Sequence, residues 1–301
     1  MSSRSWALVC AWIVAIIYGM TFTIAKDVMP KYIDAYGFIV LRVGGATILF
    51  WLVSFLGPKE KIVTKDFLRI AACAFFGVAL NMLTFFKGLS YTSPIMGSVL
   101  MVTTPMIVLI LSSIIMKERM QSKKVIGILL GLAGTITLIL YGKALNNAPN
   151  ATLGNLLVFV NAVSYGFYLI FVKKLMDKYN AFTFVKYIYL FGFFMVLPFG
   201  YNELQVVNWN EIPLVISLKI GFVVIFSTFF TYLLNLISMR NLKPTTVAVF
   251  IYLQPFFATI FAIGLGKDNL NLVKIISATL IFVGVYLVIH KKKEVNIPSE
   301  H

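Results

Sequence analysis

Apolar residues run along this chain in blocks of about twenty, the length needed to cross a ~30 Å hydrocarbon core. Short polar links rich in Lys and Arg separate the blocks. The pattern predicts ten membrane helices, near 6–26, 35–56, 68–88, 94–116, 124–142, 153–174, 183–201, 218–240, 244–266 and 270–290. The links are short except for 200–213, and "NNAPNAT" at 146–152 divides the chain into 1–145 and 146–301.

Composition strengthens this reading. Of 301 residues, 60% are hydrophobic and 12% charged, with a mean hydropathy of +0.91. A soluble domain carries roughly a quarter charged residues, so the expectation is an all-α polytopic membrane protein with no separate soluble domain. The formal charge of +15 sits in the links, which points to orientation and lipid headgroups and not to nucleic acid. Arg4 and the apolar run after it imitate a signal peptide, but no small-x-small cleavage site follows. Placing the N-terminus in the cytoplasm puts eighteen of the 26 Lys and Arg residues on that side and seven outside. Both termini are therefore expected in the cytoplasm, in an inner or plasma membrane. Cys10 and Cys73 both fall within predicted helices, which argues against a disulfide framework. With histidine only at 290 and 301, no metal or cofactor is expected.

The two halves repeat. Shifting the sequence by 150 places Pro94 on Pro244 and Pro105 on Pro255, with Glu118 on Asp268, Lys124 on Lys274 and Gly134 on Gly284. The chain has only 10 prolines, so two coincidences at one offset carry weight. Five helices per repeat is an odd number, so the halves must be inverted. Such inverted repeats build secondary transporters with a midplane site. Pro94 and Pro244 fall in first helical turns, where proline is tolerated. Pro105 and Pro255 come eleven residues later, about 16 Å at 1.5 Å per residue, and so predict paired kinks near the midplane. Each removes the usual partner of a carbonyl, at Met101 or Ile251, which suits the wall of a polar pathway or a protein-packed kink.

These features resemble the EamA-type branch of the drug/metabolite transporter superfamily. The resemblance rests on the two five-helix repeats, the proline within each fourth helix, and the acidic residues of "MKERM" (116–120) and "GKDNL" (266–270). The glycine-spaced "IGILLGLAGTITLIL" (126–140) adds to it, and Asp268 in place of glutamate departs from it. The resemblance implies a carrier with a central cavity lined by the first, third, fourth, sixth, eighth and ninth helices. Polar residues in just those helices are the candidate substrate contacts, because polar groups inside a membrane tend to face a cavity or another helix. They are Tyr18 and Thr21; Asn81 and Thr84; Thr103 and Thr104; Asn161, Ser164, Tyr165 and Tyr168; Thr228, Thr231 and Asn235; and Tyr252 and Gln254. Individual Ser and Thr residues serve equally as helix–helix glue, while the amides favour the cavity.

Three charges stand apart. Arg42 lies seven or eight residues into the second helix, where an arginine costs roughly 2.5–3.5 kcal/mol at the centre. Snorkelling to the nearby interface or a structural partner is expected, with a gate or an anion site as the alternative. Glu118 and Asp268 read as helix-end ion pairs, or else as gating latches. No Asp or Glu falls within a predicted helix core, which disfavours a carboxylate proton relay. The expected partner is a small polar solute, uncharged or zwitterionic, moved by an exporter or facilitator within the lipid bilayer. A membrane sensor or structural subunit, and an organophosphate or nucleotide-sugar exchanger, are the other readings. Monomer and homodimer remain equally open.

Overall fold

A computed structural model describes residues 3–55, 57–58, 60–91, 100–141, 151–264 and 272–289. Pro94, Asp268, the cluster Lys291–Lys293 and most of the 146–152 link lie outside these residues. Within them the backbone is largely helical, and the main helices are labelled in chain order. They are α1 (Ser3–Val28), α2 (Ala35–Ser54), α3 (Thr64–Ala74, Phe75–Ala79, Leu80–Tyr91), α4 (Thr104–Ile115) and α5 (Ser122–Tyr141), then α6 (Ala151–Met176) and α7 (Ala181–Gln205). There follow α8 (Leu214–Phe222, Val223–Phe230, Thr231–Asn241), α9 (Pro244–Val249, Phe250–Tyr252, Leu253–Gly264) and α10 (Leu272–Ile289). Seven stretches among them are long and apolar enough to span a membrane, and Thr104–Ile115 and Ile275–Ile289 are shorter apolar helices. Leu68, Ile114, Phe194 and Leu218 are exposed on the outer surface, where only lipid would cover them favourably.

The prolines act differently from the kinks expected. At Pro105 the chain turns at 102–103 and a fresh helix begins at Thr104, with proline in its first turn. The Met101 carbonyl accepts from Thr104 Oγ1 at 2.7 Å, and Leu100 O accepts from Thr103 Oγ1 at 2.6 Å. The Thr104 hydroxyl thus replaces, at Met101 O, the backbone donor that proline removes. In α9 a 3-10 turn, Phe250–Tyr252, precedes Leu253–Gly264, which carries Pro255.

The packing has a regular plan. Helix α1 lies against α8 and α9 as α6 lies against α3 and α4, while α2 pairs with α7 and α5 with α10. Glycines permit the closest contacts. Gly127 and Gly134 of α5 meet Gly284 and the Ser277–Ile281 backbone of α10. Gly77 and Gly131 leave notches that the rings of Tyr168 and Tyr252 fill.

Two π-helical stretches interrupt corresponding helices, Phe75–Ala79 in α3 and Val223–Phe230 in α8. A π turn displaces carbonyls from the normal ladder, and other helices satisfy them. Ser164 Oγ donates to Phe76 O at 2.7 Å, and the Tyr232 hydroxyl donates to Gly77 O. Within α8, Thr228 Oγ1 donates five residues back to Val223 O at 2.7 Å. Ser164→Ala and Tyr232→Phe are each expected to lower stability by about 1 kcal/mol, since each strands a buried carbonyl. Thermal unfolding in detergent micelles checks this, and unchanged midpoints would remove the π stretches from the account of stability.

Candidate functional site

A cavity of about 140 Å³ gathers polar groups from six of the helices. It lies toward the end of the bundle where α1 and α3 finish and α2 begins. Helix α1 supplies Tyr18 and Thr21, α2 Arg42, α3 Asn81, α6 Asn161 and Tyr165, α8 Ser227 and Tyr232, and α9 Gln254. The proline-related carbonyl positions also reach it, because Met101 and Ile251, each four residues before its proline, both line the wall. Phe85 and Phe86 close the α3 side.

The hydrogen bonds show which groups are committed and which are available. Asn161 is 2% exposed, and its Nδ2 donates to Asn81 O at 2.7 Å. Its Oδ1 is buried with no partner, and so is Ser227 Oγ. Both residues line the cavity, and the two atoms themselves lie buried within its wall. Thr21 Oγ1 donates to Ile17 O at 2.7 Å, and the Tyr18 hydroxyl lies within reach of Thr231.

Arg42 does not snorkel but takes the other expected course, a partner within the bundle. It is 5% exposed, its Nε donates to Thr228 Oγ1 at 3.1 Å, and its guanidinium carbon lies 5.0 Å from the centre of the Phe86 ring. The displaced Thr228 of the α8 π stretch therefore holds the arginine at the cavity wall.

Of the sequence candidates, Tyr18, Thr21, Asn81, Asn161, Tyr165, Gln254 and Arg42 come together here. The others do not line the cavity. Thr84 donates to Leu80 O, Thr104 to Met101 O and Thr231 to Ser227 O, each one turn back in its own helix. Thr103 bonds Leu100 O, Ser164 bonds α3, and Asn235 is buried in α8. Tyr168 and Tyr252 are core residues, 1% and 0% exposed. Thr228 acts indirectly, through Arg42. Among the lining residues, Ser227 and Tyr232 went unpredicted, and Tyr232 hides in plain sight one residue after Thr231. Among the described residues no group of three His, Cys, Asp or Glu comes together to hold a metal.

The opposite end of the bundle is tied shut. Ser238 Oγ of α8 donates to Ala7 O of α1 at 2.9 Å, Arg4 to Ile289 O at 2.6 Å, and Lys173 Nζ to Met239 O at 2.9 Å. Glu118 is here an interhelical ion pair. Lys117 at φ 52 turns the chain after α4, and the buried Glu118 carboxylate then accepts from Lys124 and Thr245, with Lys243 3.4 Å away. Lys243 and Thr245 flank the start of α9, so the cluster joins the two halves.

Comparison with known proteins agrees with this architecture. The family description "EamA-like transporter family" matches residues 5–140 and again 152–290. A protein of Archaeoglobus fulgidus named an uncharacterized transporter is 28% identical over 286 residues, covering 93% of this chain and 99% of the relative. The uncharacterized transporter YetK of Bacillus subtilis is 25% identical over 282 residues, 92% of this chain and 85% of its own. One solved crystal structure superposes with a TM-score of 0.74 at 16% identity, covering 94% of this chain and 96% of that one, and so shares the fold.

Proposed function

The chain belongs to the EamA-like transporter family, and from that premise we propose that it is a secondary carrier moving a small polar metabolite by alternating access. The observation that carries this reading is the cavity itself. Polar groups from six helices converge on one buried space, and two of them, Asn161 Oδ1 and Ser227 Oγ, have no protein partner. Polar groups inside a membrane tend to face a cavity or another helix, and their convergence here is what supports a polar solute.

The proposed arrangement is ten spanning helices in two inverted repeats, 1–145 and 146–301, with both termini in the cytoplasm of an inner or plasma membrane. The matching packing of α1–α5 and α6–α10 supports the repeats, and the Lys and Arg bias supports the orientation. In that orientation the cavity faces outward and the Ala7–Ser238 and Glu118 contacts close the cytoplasmic side. Transport would require those contacts to open as the outer ends of α1, α2 and α3 close. Among the described residues one arginine and no lysine line the cavity, which favours a zwitterionic solute over an organophosphate or nucleotide sugar.

Counterflow in proteoliposomes tests the proposal. Liposomes preloaded with members of a metabolite panel are expected to accumulate the labelled form of at least one of them. The double variant Asn161→Leu with Gln254→Leu, which fills and deadens the wall, is expected to reduce that uptake by about 100-fold or more. Absence of exchange across the panel would sink the carrier reading, and full activity in the double variant would move the site elsewhere.

A further inference from the structure

Away from the cavity, at the tied end of the bundle, Trp51 of α2 and Tyr187 of α7 meet edge to face with ring centres 5.7 Å apart. Phe67 of α3 packs on Tyr187 at 5.3 Å. Lys186 lies over this group, its Nζ 4.9 Å from the centre of the Trp51 ring and 5.3 Å from that of Tyr187. The side chain is half-buried. It sits about 7.5 Å along α7 from Ala181, at 1.5 Å per residue. Aromatic rings with a lysine at such a depth mark the level where lipid headgroups meet acyl chains.

The ammonium is incompletely compensated. Ser54 Oγ gives its own proton to Trp51 O at 2.7 Å and accepts from Lys186 Nζ at 3.4 Å. That bond uses one of the three donors of a lysine. The ring faces attract the charge without neutralising it. None of the ion pairs among the described residues includes Lys186. The nearby acids are engaged elsewhere. Glu60 accepts from Asn180 N at 2.8 Å and Thr183 Oγ1 at 2.7 Å, and Asp66 from the Tyr179 hydroxyl at 2.8 Å and Lys178 at 3.1 Å. Lys87, near the other end, is the contrast. It too lies over two rings, Tyr36 and Tyr91, but Glu203 there acts on it as a negative charge. At Lys186 the counter-charge is left to come from outside the chain.

Two features identify that anion. Ile48, Leu52 and Phe55 of α2 are 63%, 59% and 79% exposed, and their spacing sets them as one stripe bordering Trp51. An acyl chain covers such a stripe, whereas a free phosphate gains nothing from it. The faces of Trp51 and Tyr187 would otherwise suit the cation of a choline or ethanolamine headgroup, but Lys186 already occupies them and repels it. We propose that Lys186, held by Trp51 and Tyr187, is a binding site for an anionic phospholipid. The lipid phosphate meets Nζ, and one acyl chain lies along the α2 stripe. The site stands apart from the cavity and is independent of what the protein carries.

Native mass spectrometry of the intact protein, delipidated in neutral-detergent micelles, tests the site. The first molecule of phosphatidylglycerol is expected to bind about tenfold tighter than phosphatidylcholine with the same chains. Lys186→Gln should lower phosphatidylglycerol to the level of phosphatidylcholine and leave the latter unchanged, which separates loss of the site from loss of the fold. Lys186→Arg should keep the preference. So should Lys61→Gln, which removes an exposed charge from the link between α2 and α3 at the same end. Glycerol 3-phosphate at millimolar concentration should not displace the lipid. Equal binding of the two lipids by the parent protein, or a preference that survives Lys186→Gln, would overturn the proposal. An equal loss in Lys61→Gln would replace the site by diffuse surface charge, and displacement by glycerol 3-phosphate would replace the lipid by a free phosphate.

Discussion

Gly284→Leu is expected to prevent assembly of a stable bundle. A Cβ at 284 would lie 2.5 Å from Gly127 O and 2.6 Å from Gly131 N. These are backbone atoms, so no rotamer change relieves the contact. The relation is reciprocal, since a Cβ at 127 would lie 2.7 Å from Gly284 O. Two helices packed this closely along much of their length can accept a side chain only by moving apart, which forfeits their mutual dispersion contacts. Overpacking by a methylene or two costs about 1–3 kcal/mol, and leucine adds four carbons against rigid neighbours, a large part of a total stability of about 5–15 kcal/mol. The expected result is loss of the monodisperse peak in size-exclusion chromatography, with Gly284→Ala intermediate. Gly221, which has nothing within 4 Å of its notional Cβ, provides the contrast, and Gly221→Leu should behave as the parent protein. A well-folded Gly284→Leu protein would show that the glycines do not set the α5–α10 distance.

Much of this fold is legible because its cause is one-dimensional. Among the described residues helices coincide with predicted blocks, as Ser3–Val28 does with 6–26 and Ala181–Gln205 with 183–201, and seven stretches are long and apolar enough to span a membrane. Helix length follows from bilayer thickness, and apolar content is read directly. The cavity was legible only by helix and not by face. Asn161, Ser164, Tyr165 and Tyr168 share one stripe of α6, yet only Asn161 and Tyr165 reach the cavity. Ser164 turns to a π-displaced carbonyl of α3, and Tyr168 enters the notch at Gly77. Periodicity identifies a stripe that meets something, and what it meets depends on residues elsewhere in the chain. Threonine adds a second ambiguity, because its hydroxyl is often satisfied by its own helix, as at Thr84 and Thr231. Arg42 shows a related ambiguity, between snorkelling and a partner inside the bundle. Counting from the start of α2 places it near an interface, but its environment is set by Thr228 and Phe86 from two distant helices.

Joining α1 to α8 by a disulfide at positions 7 and 238 is expected to abolish exchange reversibly. Ser238 Oγ reaches Ala7 O at 2.9 Å, so the two helices are in direct contact at these positions, and a disulfide spans a Cα separation of about 4.4–6.8 Å. Cys10 and Cys73 are free and buried, and replacing both with alanine removes competing thiols. In this background Ala7→Cys with Ser238→Cys is expected to exchange solute when reduced, because two small side chains are added at a contact that separates in each cycle. Oxidation holds the contact closed, and alternating access then leaves the cavity open to one side only. Counterflow should fall to the level of protein-free liposomes and return with reductant. Ligand-induced thermal stabilisation should survive oxidation, since the cavity lies toward the other end of the bundle. Retained binding with lost exchange is the signature of a trapped state, which distinguishes it from general damage. Exchange that continues in the oxidised protein would mean that α1 and α8 never part at this level. The proposed cycle would then have to open the cytoplasmic side through the Glu118 cluster between α4, α5 and α9 instead.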